Sequence, residues 1–340
     1  MATWPGTAIR TGQQSSREEG AMTTAAAAHL PVMLDRVRGL FAPALSAAGA
    51  VLVDATLGRA GHTLALLRDH PGLTVVGIDA DLTAIEESRH ALAADLNRVT
   101  LVQAVYDQIP AILADLGQPG AAGILFDLGV SSPQLDDPGR GFSYAQDAPL
   151  DMRMDSSGPL TAAEVVNTYP AARLARIFRE YGEERFARRI ADAIAAERAR
   201  EPIASTLRLA EIIRNSIPAP ARRTGGNPAK RTFQALRIEV NDELGALSRA
   251  VPAALDAVAI GGRIVVLSYH SLEDRIVKRA LSQRSVDTTP PGLPVLLPAS
   301  RPQFRLLTSG AERPGEPELA ANPRAASARL RAAERVRAAA

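Results

Sequence analysis

Short apolar runs alternate with amphipathic segments between residues 50 and 130 of the chain. Four of the runs have the length and the Val, Ile and Leu content of strands: VLVDAT (51–56), LTVVGID (73–79), VTLVQA (99–104) and GILFDLG (123–129). Between them lie segments with a helical period, such as LTAIEESRHALAADL (82–96). Near-continuous apolar strands separated by helices are typical of a parallel sheet covered on both faces. The pattern therefore predicts an α/β fold.

The alternation stops near residue 140, and only helical patterns follow up to about residue 220. It resumes with a helix predicted over 235–258, the strand GGRIVVLSY (261–269) and an edge hairpin around FRLLT (304–308). We therefore predict one α/β domain made of 26–140 and 230–340, with a helical insertion over 141–229. Residues 1–25 are polar and lack an apolar core, which predicts a disordered arm.

Composition excludes several classes of protein. The chain has 340 residues, enough for one large domain or two smaller ones. No apolar run is long enough to span a membrane, and the N-terminus lacks the apolar core of a secretory signal. The absence of cysteine excludes disulfides and thiolate metal sites. A cytoplasmic protein without a membrane segment is expected, and no residue spacing predicts a metal site.

Basic side chains cluster in two parts of the chain, although the net charge is only +2. Residues 214–237 hold six basic side chains and no acid, and residues 301–340 hold eight Arg against four Glu. Such clusters attract a phosphate backbone. However, 37 of the 39 basic residues are Arg, as a GC-rich genome produces without any nucleic-acid partner. Charge alone therefore leaves RNA binding open.

A turn with two glycines, DATLGRAGH (54–62), follows the first predicted strand. Gly58 and Gly61 allow the backbone to turn tightly before a helix, whose N–H groups then face a ligand. Asp79 ends the second strand, where a carboxylate accepts hydrogen bonds from two ribose hydroxyls. NAD enzymes and S-adenosylmethionine enzymes share this pair. The G-x-x-G spacing and Asp54 favour S-adenosylmethionine, although a structural hydrogen bond is an alternative reading of Asp54.

Asp127 ends the fourth strand and opens DLGVSSPQLDDPGRGFS (127–143), where the substrate is expected to meet the cofactor. In enzymes that methylate an exocyclic amine, an acceptor here orients the amino hydrogens. The amino nitrogen of cytosine is a poor nucleophile, and its alignment can be worth roughly 7–11 kcal/mol. The base must also leave its stack. We expect Asp127 to position the amino group, in a pocket shaped by Ser131, Ser132, Pro133 and Gln134.

Two other polar features lie at strand ends. Tyr106 follows the third strand and is expected to lie against an adenine ring. SYHSLEDR (268–275) follows the fifth strand, and His270 is a candidate catalytic residue within it. A structural alternative is a helix cap made by Ser271 together with Asp274. Hydrolysis by a Ser–His–Asp triad is not expected, because the chain has no nucleophile elbow.

Together these segments resemble the bacterial RsmH/MraW family of 16S ribosomal RNA (cytidine-N4)-methyltransferases. The resemblance covers about residues 29 to 335, and the segment 127–155 is its most specific part. The matching segments are HLPVML (29–34), DATLGRAGHT (54–63), GIDAD (77–81), DLGVSSPQLDDPGRGFSYAQDAPLDMRMD (127–155), YGEERFARRIA (181–191), RTFQALRIEVNDEL (231–244), GGRIVVLSYHSLEDRIVK (261–278) and NPRAASARLR (322–331).

The resemblance implies a class I, Rossmann-like S-adenosylmethionine methyltransferase sheet with an inserted helical RNA-substrate domain. It implies S-adenosylmethionine as cofactor and cytidine 1402 of 16S rRNA, in the 30S subunit, as substrate. Cofactor contacts then fall on Ala60, Gly61, His62, Asp79, Tyr106, Asp127 and Gln134. Besides the pocket residues 131–133, RNA contacts are expected at Arg140, Arg222, Arg223, Lys230, Arg231, Arg324 and Arg329. The oligomeric state stays open, and a homodimer is among the states allowed.

Three positions depart from the family pattern. Ala60 stands where the family has a glycine, and we expect its backbone N–H still to face the cofactor. Ala148 replaces another glycine. Ala326 replaces a tail arginine, and neighbouring arginines such as Arg329 and Arg331 are expected to compensate.

Other functions compete with this one. An NAD-dependent oxidoreductase accounts for the glycine turn and Asp79 but leaves residues 127–155 without a role. A catalytically silent RNA-binding assembly factor accounts for the basic clusters but not for the intact cofactor residues. A DNA or protein methyltransferase shares the cofactor half, and only the family resemblance argues against it.

Overall fold

A computed structural model of the protein describes residues 31–131, 134, 135, 137–222, 227–289 and 300–338. All of these belong to one compact unit, Pro31–Ala340. The predicted arm 1–25 lies outside the described residues, as do Ser132, Pro133 and Arg223. No helix in the described ranges is both long and apolar enough to cross a membrane.

The strands of the described chain form one seven-stranded sheet in the order β3-β2-β1-β4-β5-β7-β6. The strands are β1 (Val51–Asp54), β2 (Thr74–Asp79), β3 (Val99–Gln103), β4 (Ala121–Asp127), β5 (Val258–Ser268), β6 (Phe304–Leu306) and β7 (Arg329–Arg335). The first five run parallel to one another, and β7 is antiparallel to both β5 and β6. The predicted α/β class is confirmed. FRLLT begins with the edge strand β6, but β6 pairs with the distant β7, which the sequence pattern did not predict, so the predicted local hairpin is wrong.

Helices cover both faces of this sheet, which explains the near-continuous apolar strands. One face packs Phe126 against Leu247 and Val277, and the other packs Leu52 against Phe41 and Leu66. The helices are α1 (Leu34–Leu45), α2 (Gly61–Asp69), α3 (Leu82–Ala91), α4 (Ile109–Asp115), α5 (Ala162–Thr168), α6 (Ala171–Glu180), α7 (Ala187–Arg198), α8 (Thr206–Ser216), α9 (Ala219–Arg222), α10 (Lys230–Asn241), α11 (Glu243–Ala257), α12 (Ser271–Ser285) and α13 (Glu316–Ala321).

A third core lies among the helices of the middle of the chain. It contains buried side chains of α5, α6, α7, α8 and α10, for example Phe178 and Ile194. Phe233 and Leu236 of α10 belong to this core, so α10 packs with the helical segment although the sequence pattern placed it in the sheet domain. The segment that packs as a helical body thus extends through α10.

The helix predicted over 235–258 is in fact two helices. Asp242 separates α10 from α11 and has the left-handed backbone angle φ 48°. The apolar pattern continues across this break, and no glycine marks the left-handed position. Periodicity alone therefore predicts one continuous helix. Beside the break, Arg237 and Glu243 form a buried ion pair with nitrogen–oxygen distances of 2.7 and 2.9 Å.

Candidate active site

Three acidic residues stand side by side at the carboxyl edge of the sheet, because Asp79, Asp54 and Asp127 end the neighbouring strands β2, β1 and β4. The strand order changes direction between β1 and β4. This switch point is where open α/β sheets bind their ligands. The sheet therefore brings together the strand-end carboxylates that the sequence singled out.

Asp79 organises the glycine turn. Its Oδ2 accepts the N–H of Gly58 at 2.9 Å, and its Oδ1 accepts the N–H of Asp81 at 2.9 Å. A carboxylate has about four lone-pair sites, so two remain for ribose hydroxyls. Burial raises the pKa of Asp79 to about 6. The turn and its acceptor are thus held together by hydrogen bonds within the protein.

Ala60 does not offer its N–H to a ligand, which corrects the expectation from the sequence. Its backbone is left-handed, with φ 58°, and its N–H donates to the carbonyl of Leu57 at 2.7 Å. A Cβ at Gly61 would lie 2.6 Å from Cγ of Pro31, so this glycine is needed for close packing. The available donors are the first N–H groups of α2, from Gly61 onward, because a helix start leaves them without intrahelical acceptors.

Asp54 has the structural role that the sequence left as an alternative. It is 1% exposed, and its Oδ2 accepts the hydroxyl of Thr63 at 2.6 Å. Burial raises the pKa of this carboxyl, and the Thr63 hydroxyl opposes that rise. Asp54 therefore anchors the first turn of α2.

Asp127 is held from two sides. Its Oδ1 accepts the hydroxyl of Tyr269 at 2.6 Å, and its backbone N–H donates to the hydroxyl of Thr56 at 2.6 Å. Its Oδ2 lies 3.5 Å from Nε2 of His62. Burial and the Asp127 carboxylate raise the pKa of Tyr269 well above its ordinary value, so the phenol remains a donor. Oδ2 is the Asp127 oxygen that is left to accept hydrogens from a substrate.

Sequence reasoning missed Tyr269. A signal was available, because Tyr269 directly follows β5 at the edge where Asp127 follows from β4. The register pairs Asp127 with Leu267, two residues before Tyr269. Parallel neighbouring strands therefore predict that a side chain just past β5 reaches Asp127.

His62 is buried, and neither ring nitrogen forms a hydrogen bond with another described residue. Such unpartnered buried groups are rare in folded proteins, which makes the ring a candidate for ligand contact. Tyr106 is different, because its hydroxyl donates to the carbonyl of Glu243 at 3.3 Å. Its ring lies edge-on to Phe126, with the centroids 5.7 Å apart. The aromatic ring is therefore the part of Tyr106 that is left for a nucleobase.

Gln134 lies in the loop after β4 and is buried. Its Nε2 donates to Oδ2 of Asp81 at 2.9 Å, and its Oε1 accepts the N–H of Ser131 at 3.0 Å. The amide therefore ties the loop to the start of α3. Its contact with the cofactor stays a prediction.

His270 is the N-cap of α12, so the helix cap that the sequence left as a structural alternative is made by His270 and not by Ser271. Its Nδ1 accepts the N–H of Glu273 at 3.4 Å, and its Nε2 lies 3.2 Å from Oε1 of Glu273. Oε2 of Glu273 accepts the N–H groups of Tyr269 and His270 at 2.7 and 3.1 Å. Burial tends to raise the pKa of Glu273, but His270, Arg237 and the N–H of Tyr269 together outweigh it, and the pKa is lowered. Both His270 ring nitrogens thus lie against Glu273, whose Oε2 holds the strand end that carries Tyr269. A catalytic role for His270 stays a prediction.

The described arginines predicted to contact RNA also interact with other residues of the protein. Arg222 donates to the carbonyl of Ile217 at 2.7 Å and Arg231 to the carbonyl of Glu183 at 2.9 Å. Arg329 donates to Asp274 at 3.3 Å. Lys230 and Arg324 have exposed side chains. Arg140 points inward, to Asp81.

The residues at the sheet edge fit S-adenosylmethionine. Asp79 has lone pairs left for a ribose, and the start of α2 attracts a carboxylate. The buried His62 ring lies beside Asp127, and its nitrogens form no hydrogen bond with another described residue. Within the described ranges, no three His, Cys, Asp or Glu side chains are grouped to hold a metal ion.

Comparison with known proteins finds close relatives. A family model described as the MraW methylase family matches residues 26–336. Ribosomal RNA small subunit methyltransferase H of Thermobifida fusca is 64% identical over 312 residues, covering 92% of this chain and 94% of the relative. The protein of the same name from Salinispora arenicola is 63% identical over 310 residues, covering 91% and 83%. An rRNA methylase structure from Streptococcus thermophilus matches with a TM-score of 0.39 and 11% identity, covering 87% of this chain and 93% of that one.

Proposed function

The chain belongs to the MraW methylase family, and we propose that it methylates the N4 amino group of cytidine 1402 in 16S rRNA, using S-adenosylmethionine. Relatives with more than 60% identity are named as methyltransferases of small-subunit ribosomal RNA. The observation that carries the proposal is the Asp127 carboxylate, with one oxygen bound by Tyr269 and the other beside His62.

Binding of the cofactor follows from the groups at the sheet edge. Asp79 accepts the ribose hydroxyls, and the Tyr106 ring contacts the adenine. The first N–H groups of α2 and the His62 ring receive the methionine carboxylate, because a helix N-terminus favours an anion. When bound, the cofactor supplies a methyl group on a positively charged sulfur.

Asp127 acts on the cytosine, the other reactant. The N4 lone pair is delocalised into the cytosine ring, so nitrogen attacks only when it is held in line with the methyl group. Oδ2 of Asp127 accepts an N–H of the amino group, while Tyr269 keeps the carboxylate from rotating. As the N–C bond forms, the bond between the methyl carbon and the sulfur would break and leave a neutral thioether, and N4 would pass one of its two protons to Oδ2 of Asp127 or to water. An acceptor in this position is worth about 10²–10⁴ in rate.

The helical segment 141–229 is the proposed RNA-substrate domain. It binds the RNA together with Lys230 and Arg231. Arg324 extends it from the tail. The target cytidine must leave its stack, which is easiest in an irregular, single-stranded part of the RNA. We propose that the 30S particle, in the cytoplasm, is the substrate.

The test is methyl transfer from labelled S-adenosylmethionine to 30S particles that lack this modification, with free 16S rRNA as the second substrate. Digestion to nucleosides should give label in N4-methylcytidine, and mapping should give one position. Label at C5 of cytosine, or in another base, would contradict the assignment of the atom. Faster transfer to free 16S rRNA than to 30S particles would contradict the assignment of the particle.

A further inference from the structure

Arg140 lies in the loop after β4, and its guanidinium faces the protein instead of solvent. Nη1 lies 2.8 Å from Oδ2 of Asp81, and the Arg140 side chain is 18% exposed. This geometry does not fit the phosphate contact that the basic character of Arg140 suggested. An inward guanidinium that holds a buried carboxylate has a different use.

Asp81 connects this contact to the cofactor acceptor. It is 4% exposed, its Oδ1 caps α3 by accepting the N–H of Thr83 at 3.0 Å, and its own N–H donates to Asp79. Its Oδ2 accepts Gln134 as well as Arg140. A buried carboxylate depends on such donors, since an unpaired buried charge is strongly unfavourable. Any shift of Asp81 is therefore passed to Asp79.

The other end of the guanidinium holds the chain that leads into the helical segment. Nη2 donates to the carbonyls of Arg153 and Met154, each at 2.9 Å. The backbone adds a further link, because the carbonyl of Arg140 accepts the N–H of Met152 at 3.0 Å. Asn241 of α10 holds the same stretch, with its Oδ1 2.7 Å from the N–H of Met154. The planar fork of an arginine makes such a bridge, whereas a lysine ammonium cannot.

The loop that carries Arg140 forms one side of a cleft. Its lining includes Gly58, Asp81, Ser131, Asp137 and Arg140. Gly58 is the residue whose N–H binds Asp79. The loop that carries Arg140 and the turn that binds the ribose acceptor Asp79 therefore line the same cleft.

We propose that Arg140 is a positioning residue for cofactor binding, which joins Asp81 to residues 152–154 and so fixes this wall of the pocket. It acts through Asp81 and does not contact RNA. The inference rests on the proposed function only in taking S-adenosylmethionine as the ligand.

The test measures binding of S-adenosylhomocysteine to the full chain by calorimetry, with no RNA present. Arg140→Ala should weaken binding about ten- to hundredfold, because charge-assisted hydrogen bonds are lost. Arg140→Lys should not restore it, since one ammonium cannot reach both Asp81 and the two carbonyls. Asp81→Asn should add little to Arg140→Ala, because both changes break the same link. The control is Arg188→Ala, which removes an exposed arginine paired with Asp192 and should leave binding unchanged.

The competing role as a phosphate contact has a different signature. It predicts that Arg140→Ala leaves the affinity for S-adenosylhomocysteine unchanged. It also predicts that the slope of log affinity for 30S particles against log salt concentration becomes smaller by about 0.7–0.9. That outcome, or wild-type affinity in Arg140→Lys, would overturn the inference. Thermal unfolding shows whether each variant is folded. If Arg140→Ala does not fold, the affinity of Arg140→Lys for S-adenosylhomocysteine decides the test. Wild-type protein that binds the nucleoside but methylates no RNA would contradict only the proposed function.

Discussion

The backbone N–H of Gly58 donates to a carboxylate oxygen of Asp79, 2.9 Å away and 21 residues further along the chain. One side chain thus fixes the glycine turn and keeps lone pairs for a ribose. The N–H of Asp81 donates to the other oxygen at 2.9 Å, so two backbone N–H groups fix the plane of the carboxylate. Such preorganisation makes the affinity for the cofactor sensitive to small changes at Asp79.

Replacing Asp79 by Asn should weaken S-adenosylhomocysteine binding about ten- to hundredfold. The amide keeps the shape of the side chain but replaces one acceptor with a donor, so a ribose hydroxyl loses a charged partner. Calorimetry measures the change. Asp192→Asn, at an exposed surface pair, is the matched control and should bind as the wild type does. Equal affinity in Asp79→Asn and wild type would contradict the role of Asp79.

Cofactor affinity should fall in acid because of the same carboxyl. Burial raises the pKa of Asp79 to about 6, above the ordinary value of about 3.9. As the pH falls from 6 towards 4, Asp79 takes up a proton in the folded protein before it would in the unfolded chain, so protonation of this group stabilises the folded protein. The protonated carboxyl is no longer a charged acceptor for the ribose. Affinity for S-adenosylhomocysteine should drop about tenfold between pH 7 and pH 5. Calorimetry at several pH values should find this dependence in wild type and not in Asp79→Asn.

The buried pair Arg237–Glu243 should matter for folding more than for chemistry. Their side chains are 16% and 8% exposed, and the pair spans the break between α10 and α11. Glu243→Gln removes the negative charge that pairs with the buried guanidinium of Arg237 and should lower the free energy of unfolding by about 3–5 kcal/mol. Replacing both residues, by Met and Leu, should recover most of this loss. Urea unfolding measures both, and a double variant that is less stable than the single one would contradict this view.

Gly141 should not tolerate a side chain. Its φ is 70°, and a Cβ there would lie 2.2 Å from the carbonyl oxygen of Pro149. Gly141→Ala should lower the free energy of unfolding by about 2 kcal/mol or more, through strain and displacement of the loop. Gly310→Ala is the control, because a Cβ at Gly310 has nothing within 4 Å. Thermal unfolding compares the two, and equal melting temperatures would contradict the tight packing at Gly141.

The sequence predicted the sheet and its strand-end acids because both depend on local patterns. Near-continuous apolar strands specify a buried parallel sheet, and the parallel arrangement by itself places Asp79, Asp54 and Asp127 at one edge. The break at Asp242 escaped prediction, since a single left-handed residue leaves the apolar period intact.

Pairwise geometry in the site was harder to predict. Arg140 looks like an RNA contact by charge, and only the fold shows that its guanidinium turns towards Asp81. Tyr269 looks like an ordinary aromatic until the register of β4 and β5 brings its hydroxyl to Asp127. Serine is usually preferred over histidine as an N-cap, yet His270 caps α12. The reason is that the His270 side chain and Glu273 form the reciprocal hydrogen bonds of a capping box. Tertiary contacts decide where a long side chain points and which group it binds, and no local sequence pattern encodes them.

The role of Asp127 is tested most directly by initial rates of methyl transfer to 30S particles lacking the modification, with wild type and Asp127→Ala compared. Removing the acceptor should slow formation of N4-methylcytidine by about 10²–10⁴. Binding of S-adenosylhomocysteine, measured alongside, should fall by less than the rate does. If Asp127→Ala forms N4-methylcytidine at the wild-type rate, Asp127 does not orient the amino group and the account of this site is wrong.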